Sequence, residues 1–135
     1  MKISKLLLPV VCGGAAVCAP VILAQELPTA EEPVSCLSLN RIKSVDILDQ
    51  THLVFHMING EHYLNVLDNR CSGLRKHSAL MYRTSINKLC DLDIITPLDN
   101  LGFGFQPSGS CGLGKFLPVQ DDEIEALKTR VRQGQ

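Results

Sequence analysis

The chain contains no tryptophan, and aromatic residues make up only 4% of it. A surface that stacks nucleic-acid bases needs several aromatic platforms, so a base-stacking role is set aside, as is a sugar-stacking one. Basic residues show no excess: Lys and Arg number 13 against 14 Asp and Glu. Nucleic-acid binders normally carry a clear basic surplus. No C-x₂₋₄-C pair exists, which removes the usual zinc spacing. No G-x-S-x-G motif exists either, which removes the nucleophile elbow. The stretch Leu6 to Leu23 lacks any charge.

That uncharged stretch follows Lys2 and Lys5 and ends at Ala24, the three-part pattern of a secretory signal peptide. Cleavage is expected after Ala24. Pro9, Gly13, Gly14 and Pro20 make the run a poor retained span. Val11 and Val17 stand before Cys12 and Cys18, where lipid attachment wants a small residue. Processing leaves 111 residues (135 − 24), enough for one domain. Loss of two lysines leaves 11 basic against 14 acidic residues, a net charge of −3. The expected location is periplasmic or secreted, with no transmembrane segment after cleavage. Residues 25–35 read as a flexible acidic leader, 36–119 as the folded domain, and 120–135 as a C-terminal helix and tail.

The domain is organised around Thr51 to Leu67, where two apolar, β-branched runs flank Asn59-Gly60. That dipeptide predicts a two-residue type I′ hairpin turn. The turn would set Met57 against His62, Phe55 against Leu64 and Leu53 against Val66. Leu53, Phe55, Met57, Leu64 and Val66 would then form the inner face. Arg41 to Leu48 predicts a preceding strand, joined by the loop Asp49-Gln50-Thr51. That register pairs Ile47 with Leu53 and Val45 with Phe55. Leu80 to Ser85, Asp93 to Leu98 and Gly114 to Val119 predict further strands, with Pro97 implying an edge or an end. Leu101 to Gly112 reads as one long loop. Asp121 to Arg132 predicts a helix capped by Asp121, with Ile124, Leu127 and Val131 as its apolar stripe. The fold class is therefore all-β: a small antiparallel barrel or strongly bent sheet on a three-stranded meander, with two disulfides and one C-terminal helix.

Cys36, Cys71, Cys90 and Cys111 remain after processing. An even number in a short exported chain predicts two disulfides. In the meander, Cys36 and Cys71 lie at opposite ends of a strand roughly 17–20 Å long, too far for a bond. Two pairings survive: nested (Cys36–Cys111 with Cys71–Cys90) and crossed (Cys36–Cys90 with Cys71–Cys111). The nested one is favoured, because Cys71–Cys90 closes a compact local loop.

Several motifs invite a chemical reading. Gly109 to Lys115, GSCGLGK, matches most of a phosphate-binding loop. Phe116 replaces the required Ser or Thr, and Pro118 breaks the helix that should follow. Among the histidines, four strand residues separate His52 from His56 by roughly 13 Å. The predicted register turns His62 to the opposite face from His56. No metal and no cofactor is expected, and no catalytic residue is assigned. His56, Glu61 and Tyr63 are expected to form a small polar patch. Asp91 and Asp93 are a second acidic pair at a strand entry. Arg70, Arg75, Lys76, Arg83 and Lys88 lie in a segment, Arg70 to Cys90, that contains no acid. This basic lobe on an acidic protein suits an acidic envelope component or protein as partner.

Taken together, the residues resemble a family. The pattern runs C-L-x-L-x-R-I at Cys36 to Ile42, Y-L-N-x-L at Tyr63 to Leu67 and C-x-G-L at Cys71 to Leu74. It continues through Y-R-T-S and L-C-x-x-D, from Tyr82 onward, to C-G-L-G-x-F at Cys111 to Phe116. The chain is similar to small exported bacterial proteins catalogued only as a domain of unknown function. Ser72 stands where such relatives would carry proline. The resemblance implies a Gram-negative envelope protein and brings no activity or catalytic residue with it. The expected function is a non-catalytic binding or interaction module. The alternatives are an enzyme working through the His56–Glu61–Tyr63 patch or the Asp91/Asp93 pair, and a structural accessory docking through the C-terminal helix.

Overall fold

The computed structural model describes Gly14 and residues 31–134. Apart from Gly14, the expected signal peptide and the first part of the leader lie outside the described residues. The elements are β1 (Cys36–Ser38), a 3₁₀ turn (Leu39–Arg41), β2 (Ile42–Ile47), β3 (His52–Met57), β4 (His62–Val66), β5 (Ala79–Tyr82) and β6 (Lys88–Cys90). They continue as β7 (Ile94–Asn100), β8 (Phe105–Pro107), β9 (Cys111–Gly112), β10 (Phe116–Val119) and α1 (Asp121–Gln133). One sheet has the order β10-β4-β3-β2, a second β5-β7-β8 with β9 also on β7, and β1 pairs with β6. The fold is mostly β, as its composition of strands and turns implied. Among the described residues no pairing closes a sheet into a barrel.

The β2–β3 connection follows the expected register, with Ile47 opposite Leu53 and Val45 opposite Phe55. Asp49 sets it: its Oδ1 accepts from the Thr51 amide (2.6 Å) and the His52 amide (2.8 Å). A short carboxylate that mimics a turn in this way is a strong local signal.

The β3–β4 connection differs from expectation. The Met57 amide donates to Glu61 O at 2.9 Å, which closes a three-residue loop rather than a two-residue one. Only Gly60 takes the left-handed region, at φ 88°. This is the three-residue alternative for a hairpin, in which glycine supplies the single residue at positive φ. The pairing becomes His56 with His62, Phe55 with Tyr63, Val54 with Leu64 and Leu53 with Asn65. A slip of one residue exchanges the faces of β4. Leu64 therefore leaves the main core, and Tyr63, Asn65 and Leu67 turn toward it. Alternation could not decide the register because both faces of this sheet are covered.

The main core lies on one face, with Leu53, Phe55, Leu89, Ile95, Leu113 and Phe116 at its centre. Phe55 and Phe116 meet edge to face at 5.3 Å between centroids. On the other face Val54 and Leu64 pack with Leu48 and with Ile124 of α1. Leu127 and Val131 complete that contact, so the apolar stripe read from the sequence is the docking face of the helix. Asp121 is not the cap. Gln120 precedes the helix, and its amide donates to Glu123 Oε2 at 2.8 Å. Asp121 is left in the first turn, largely exposed, with its Oδ1 3.0 Å from His62 Nε2.

Three further corrections concern the second half. The long loop after Leu101 contains β8 and β9. Pro97 sits in β7, the central strand of its sheet, rather than at an edge. Its carbonyl accepts from Ser108, so its nitrogen points to the same side, where β8 has ended and β9 has not begun. No ladder donor is lost there. The disulfides are Cys36–Cys90 and Cys71–Cys111, the crossed pairing, and not the favoured nested one. Cys36 and Cys90 face each other across the β1–β6 ribbon, their Cα atoms 3.9 Å apart. That ribbon is only three residues long, too short to read from sequence, and it outweighs the shorter Cys71–Cys90 loop.

Candidate functional site

The basic lobe is divided by the fold. Arg70, Arg75 and Lys76 line one groove of about 760 Å³, and Arg130 joins them from the last turn of α1. Its floor is apolar, made by Leu48, Leu74, Leu127 and Val131. Arg83 lines a separate depression beside Ile94 and Pro107. Lys88 stands on β6 opposite Ser38. Arg130 was missed because nothing in the sequence says which sheet face the helix will cover. Its place in the last helical turn follows from the favourable interaction of cations with the helix C-terminus.

Among the described residues Arg75 alone of the four cations has an ion-pair partner, and that contact is loose. Arg70 Nε donates to Gln50 Oε1 at 2.9 Å, a neutral partner that orients the guanidinium. Arg75 lies 3.8 Å from Asp99 and is well exposed. One acid, Asp49, also lines the groove. Burial pushes the Asp49 carboxyl up, but hydrogen bonds from Thr51 and His52 outweigh it and hold the group below the usual carboxylate value. Asp49 is thus engaged by its own loop.

The expected polar patch is also split. Tyr63 Oη donates to Glu61 Oε2 at 3.1 Å on the main-core face of β4. Asn59 and then Tyr63 hold the Glu61 carboxyl low. Burial, followed by the Glu61 carboxylate, raises the Tyr63 hydroxyl. His56 is on the other face. Its Nδ1 lies 2.8 Å from Nδ1 of His62, the residue expected on the opposite side.

This histidine pair is extended at both ends. His56 Nε2 is 3.2 Å from Asp46 Oδ2, and His62 Nε2 is 3.0 Å from Asp121 Oδ1. Lys128 approaches the same Asp46 oxygen at 3.8 Å. Asp46, His56, His62 and Asp121 thus form a polar row from the sheet to the first turn of α1. The signal for it was present in the sequence, since any three-residue loop sets His62 across from His56.

The other groups singled out in the sequence fall in turns and strands. Asp93 Oδ2 accepts from the Cys90 amide at 2.7 Å, and the intervening Leu92 takes a φ of 73°. The phosphate-loop look-alike carries Cys111 in a disulfide and leads into strand β10, not a helix. Its Gly114 lies against β4: a Cβ there would run into the Val66 carbonyl. Asn65 Nδ2 donates to Gly114 O at 2.6 Å, and Gly114 N donates to Asn65 Oδ1 at 2.9 Å. Among the described residues no group of three or more His, Cys, Asp or Glu side chains is placed to hold a metal ion. No helix among them is long and apolar enough to cross a membrane. Two disulfides fit an oxidising compartment. No family model, no curated protein and no solved structure matches the chain.

Proposed function

We propose that the chain is an exported, non-catalytic binding module of the bacterial envelope, which docks a phosphate- or carboxylate-bearing partner in the groove between the β2–β3 loop and α1. The observation that carries this reading is the convergence of Arg70, Arg75, Lys76 and Arg130 over an apolar floor, with a single acid that is already engaged. Guanidinium groups present forked donors that match phosphate and carboxylate geometry. A concentrated positive edge on an otherwise acidic chain gives such a partner a preferred side from which to approach. The uncharged run Leu6 to Leu23 behind Lys2 and Lys5, the two disulfides and the resemblance to small envelope proteins support the exported setting. The apolar stripe of α1 lies on the chain's own sheet, so the helix contributes Arg130 rather than a docking face.

Inorganic polyphosphate is a suitable probe. Changing Arg70, Arg75, Lys76 and Arg130 together to Ala is expected to weaken its binding at least about tenfold, or ~1.4 kcal/mol. The wild-type affinity should fall with added salt. Changing Arg83 and Lys88 to Ala is the control. Equal weakening by that control would show a diffuse charge effect and remove the groove from the account.

A further inference from the structure

The β7–β8 hairpin ends in Leu101-Gly102-Phe103-Gly104-Phe105, and it points its apolar side chains away from both cores. Phe103 is 96% exposed, Leu101 63% and Phe105 60%. No charged residue occurs from Asn100 to Gly114. Large apolar side chains gathered on a surface mark a contact with a partner or a membrane. The shape here is a narrow projection rather than a groove, so it suits a medium that can be penetrated.

The base of this hairpin is tied to the basic lobe. Asp99, two residues before Leu101, accepts from Ser78 Oγ at 3.3 Å and lies 3.8 Å from Arg75. Ser78 N donates to Arg75 O at 2.9 Å, closing a turn whose central residues are Lys76 and His77. Arg75 and Lys76 also form one wall of the cationic groove. Exposed cations therefore stand beside an uncharged apolar tip. Apolar insertion combined with basic residues is the pattern that binds an anionic lipid surface, where two weak terms act together.

We propose that the β7–β8 tip inserts Leu101, Phe103 and Phe105 into the surface of an anionic lipid layer, with Arg75 and Lys76 held against its phosphates. This names the partner class for the cationic groove and rests on that reading for its charge. The phosphate chemistry is shared with a free polyanion; the apolar tip selects the lipid.

The absence of tryptophan makes a local test direct. Phe103→Trp introduces a single tryptophan at the tip, excited at wavelengths longer than the two tyrosines absorb, whatever the N-terminal segment does. The protein is taken as exported by a host cell, and its N-terminus is fixed by mass spectrometry. Vesicles of phosphatidylcholine containing phosphatidylglycerol should shift the emission to the blue and allow quenching by brominated acyl chains. Pure phosphatidylcholine should give little shift. Adding Arg75→Ala and Lys76→Ala should weaken the anionic vesicle response at least tenfold, as should Phe105→Ser with Leu101→Ser. No shift with anionic vesicles overturns the proposal, and intact polyphosphate binding in that protein leaves the groove reading standing. An equal shift on neutral vesicles overturns the anionic part. Binding of a polyglutamate peptide without any vesicle response points to a protein partner and also overturns it.

Discussion

Asn65 offers a test in which the two possible registers of β4 give opposite results. On the register expected from Asn59-Gly60 it faces outward, and replacement by leucine costs little. In the structure it is fully buried on the main-core side, and its amide holds both backbone groups of Gly114. Leucine would leave the Gly114 N–H and C=O without that partner. Each unsatisfied group costs about 1–3 kcal/mol, so the pair costs about 2–6 kcal/mol. The buried leucine returns about 1.5–3 kcal/mol of apolar burial. Asn65→Leu is therefore expected to destabilise the domain by about 2 kcal/mol, the difference of the two mid-range values. Asn65→Asp should be worse at neutral pH, because a carboxylate oxygen would then face Gly114 O. Its deficit should shrink in acid, where a protonated carboxyl can donate to that oxygen. Urea denaturation followed by far-ultraviolet circular dichroism, with the disulfides intact, measures both. A change within about 0.5 kcal/mol for Asn65→Leu, the size usual for a surface substitution, would refute the inward placement.

Three other expectations follow from the same geometry. His56→Phe and His62→Phe should be non-additive by about 0.5–3 kcal/mol in a double-mutant cycle, as for residues in direct contact. His62→Phe should also raise hydrogen exchange at the first turn of α1, and additivity within about 0.3 kcal/mol would dismiss the histidine pair. The lowered Asp49 carboxyl contributes stability that is present above the unfolded carboxylate value and is lost as pH falls through the folded one. Asp49→Asn should therefore flatten the acid limb of the stability profile below about pH 4, and an unchanged limb would count against the Asp49 turn. Non-reducing peptide mapping should recover Cys36 with Cys90 and Cys71 with Cys111. Loop separations of 54 and 40 residues give each bond about 4 kcal/mol on the chain-entropy model. Recovery of a Cys71–Cys90 peptide would contradict the β1–β6 ribbon.

Much of the scaffold was legible because its signals are local. Asp49 and Thr51 lie within one turn, so the β2–β3 register could be read directly. The spacing of Ile124, Leu127 and Val131 marked the buried side of α1 without reference to its partner. The β4 register was not legible, because Asn59-Gly60 suits both loop lengths and Leu64 and Tyr63 are each apolar enough to be buried. The basic lobe was found as a run of sequence, yet only three of its five residues share a groove. Arg83 was carried elsewhere by β5, and Arg130 came from 54 positions beyond Lys76.

Sequence alone determined the strand-rich composition, the even cysteine count, the acidic balance and the apolar face of the helix, since these depend on residue type and short-range spacing. Tertiary structure alone decided the partners across distance. It matched Cys36 to Cys90 by forming a three-residue ribbon, set His62 against His56 by one residue of register, and placed the end of α1 beside Arg70. Each choice turns on which surfaces are covered at once, and burial of a whole face outweighs the small preference of any one turn.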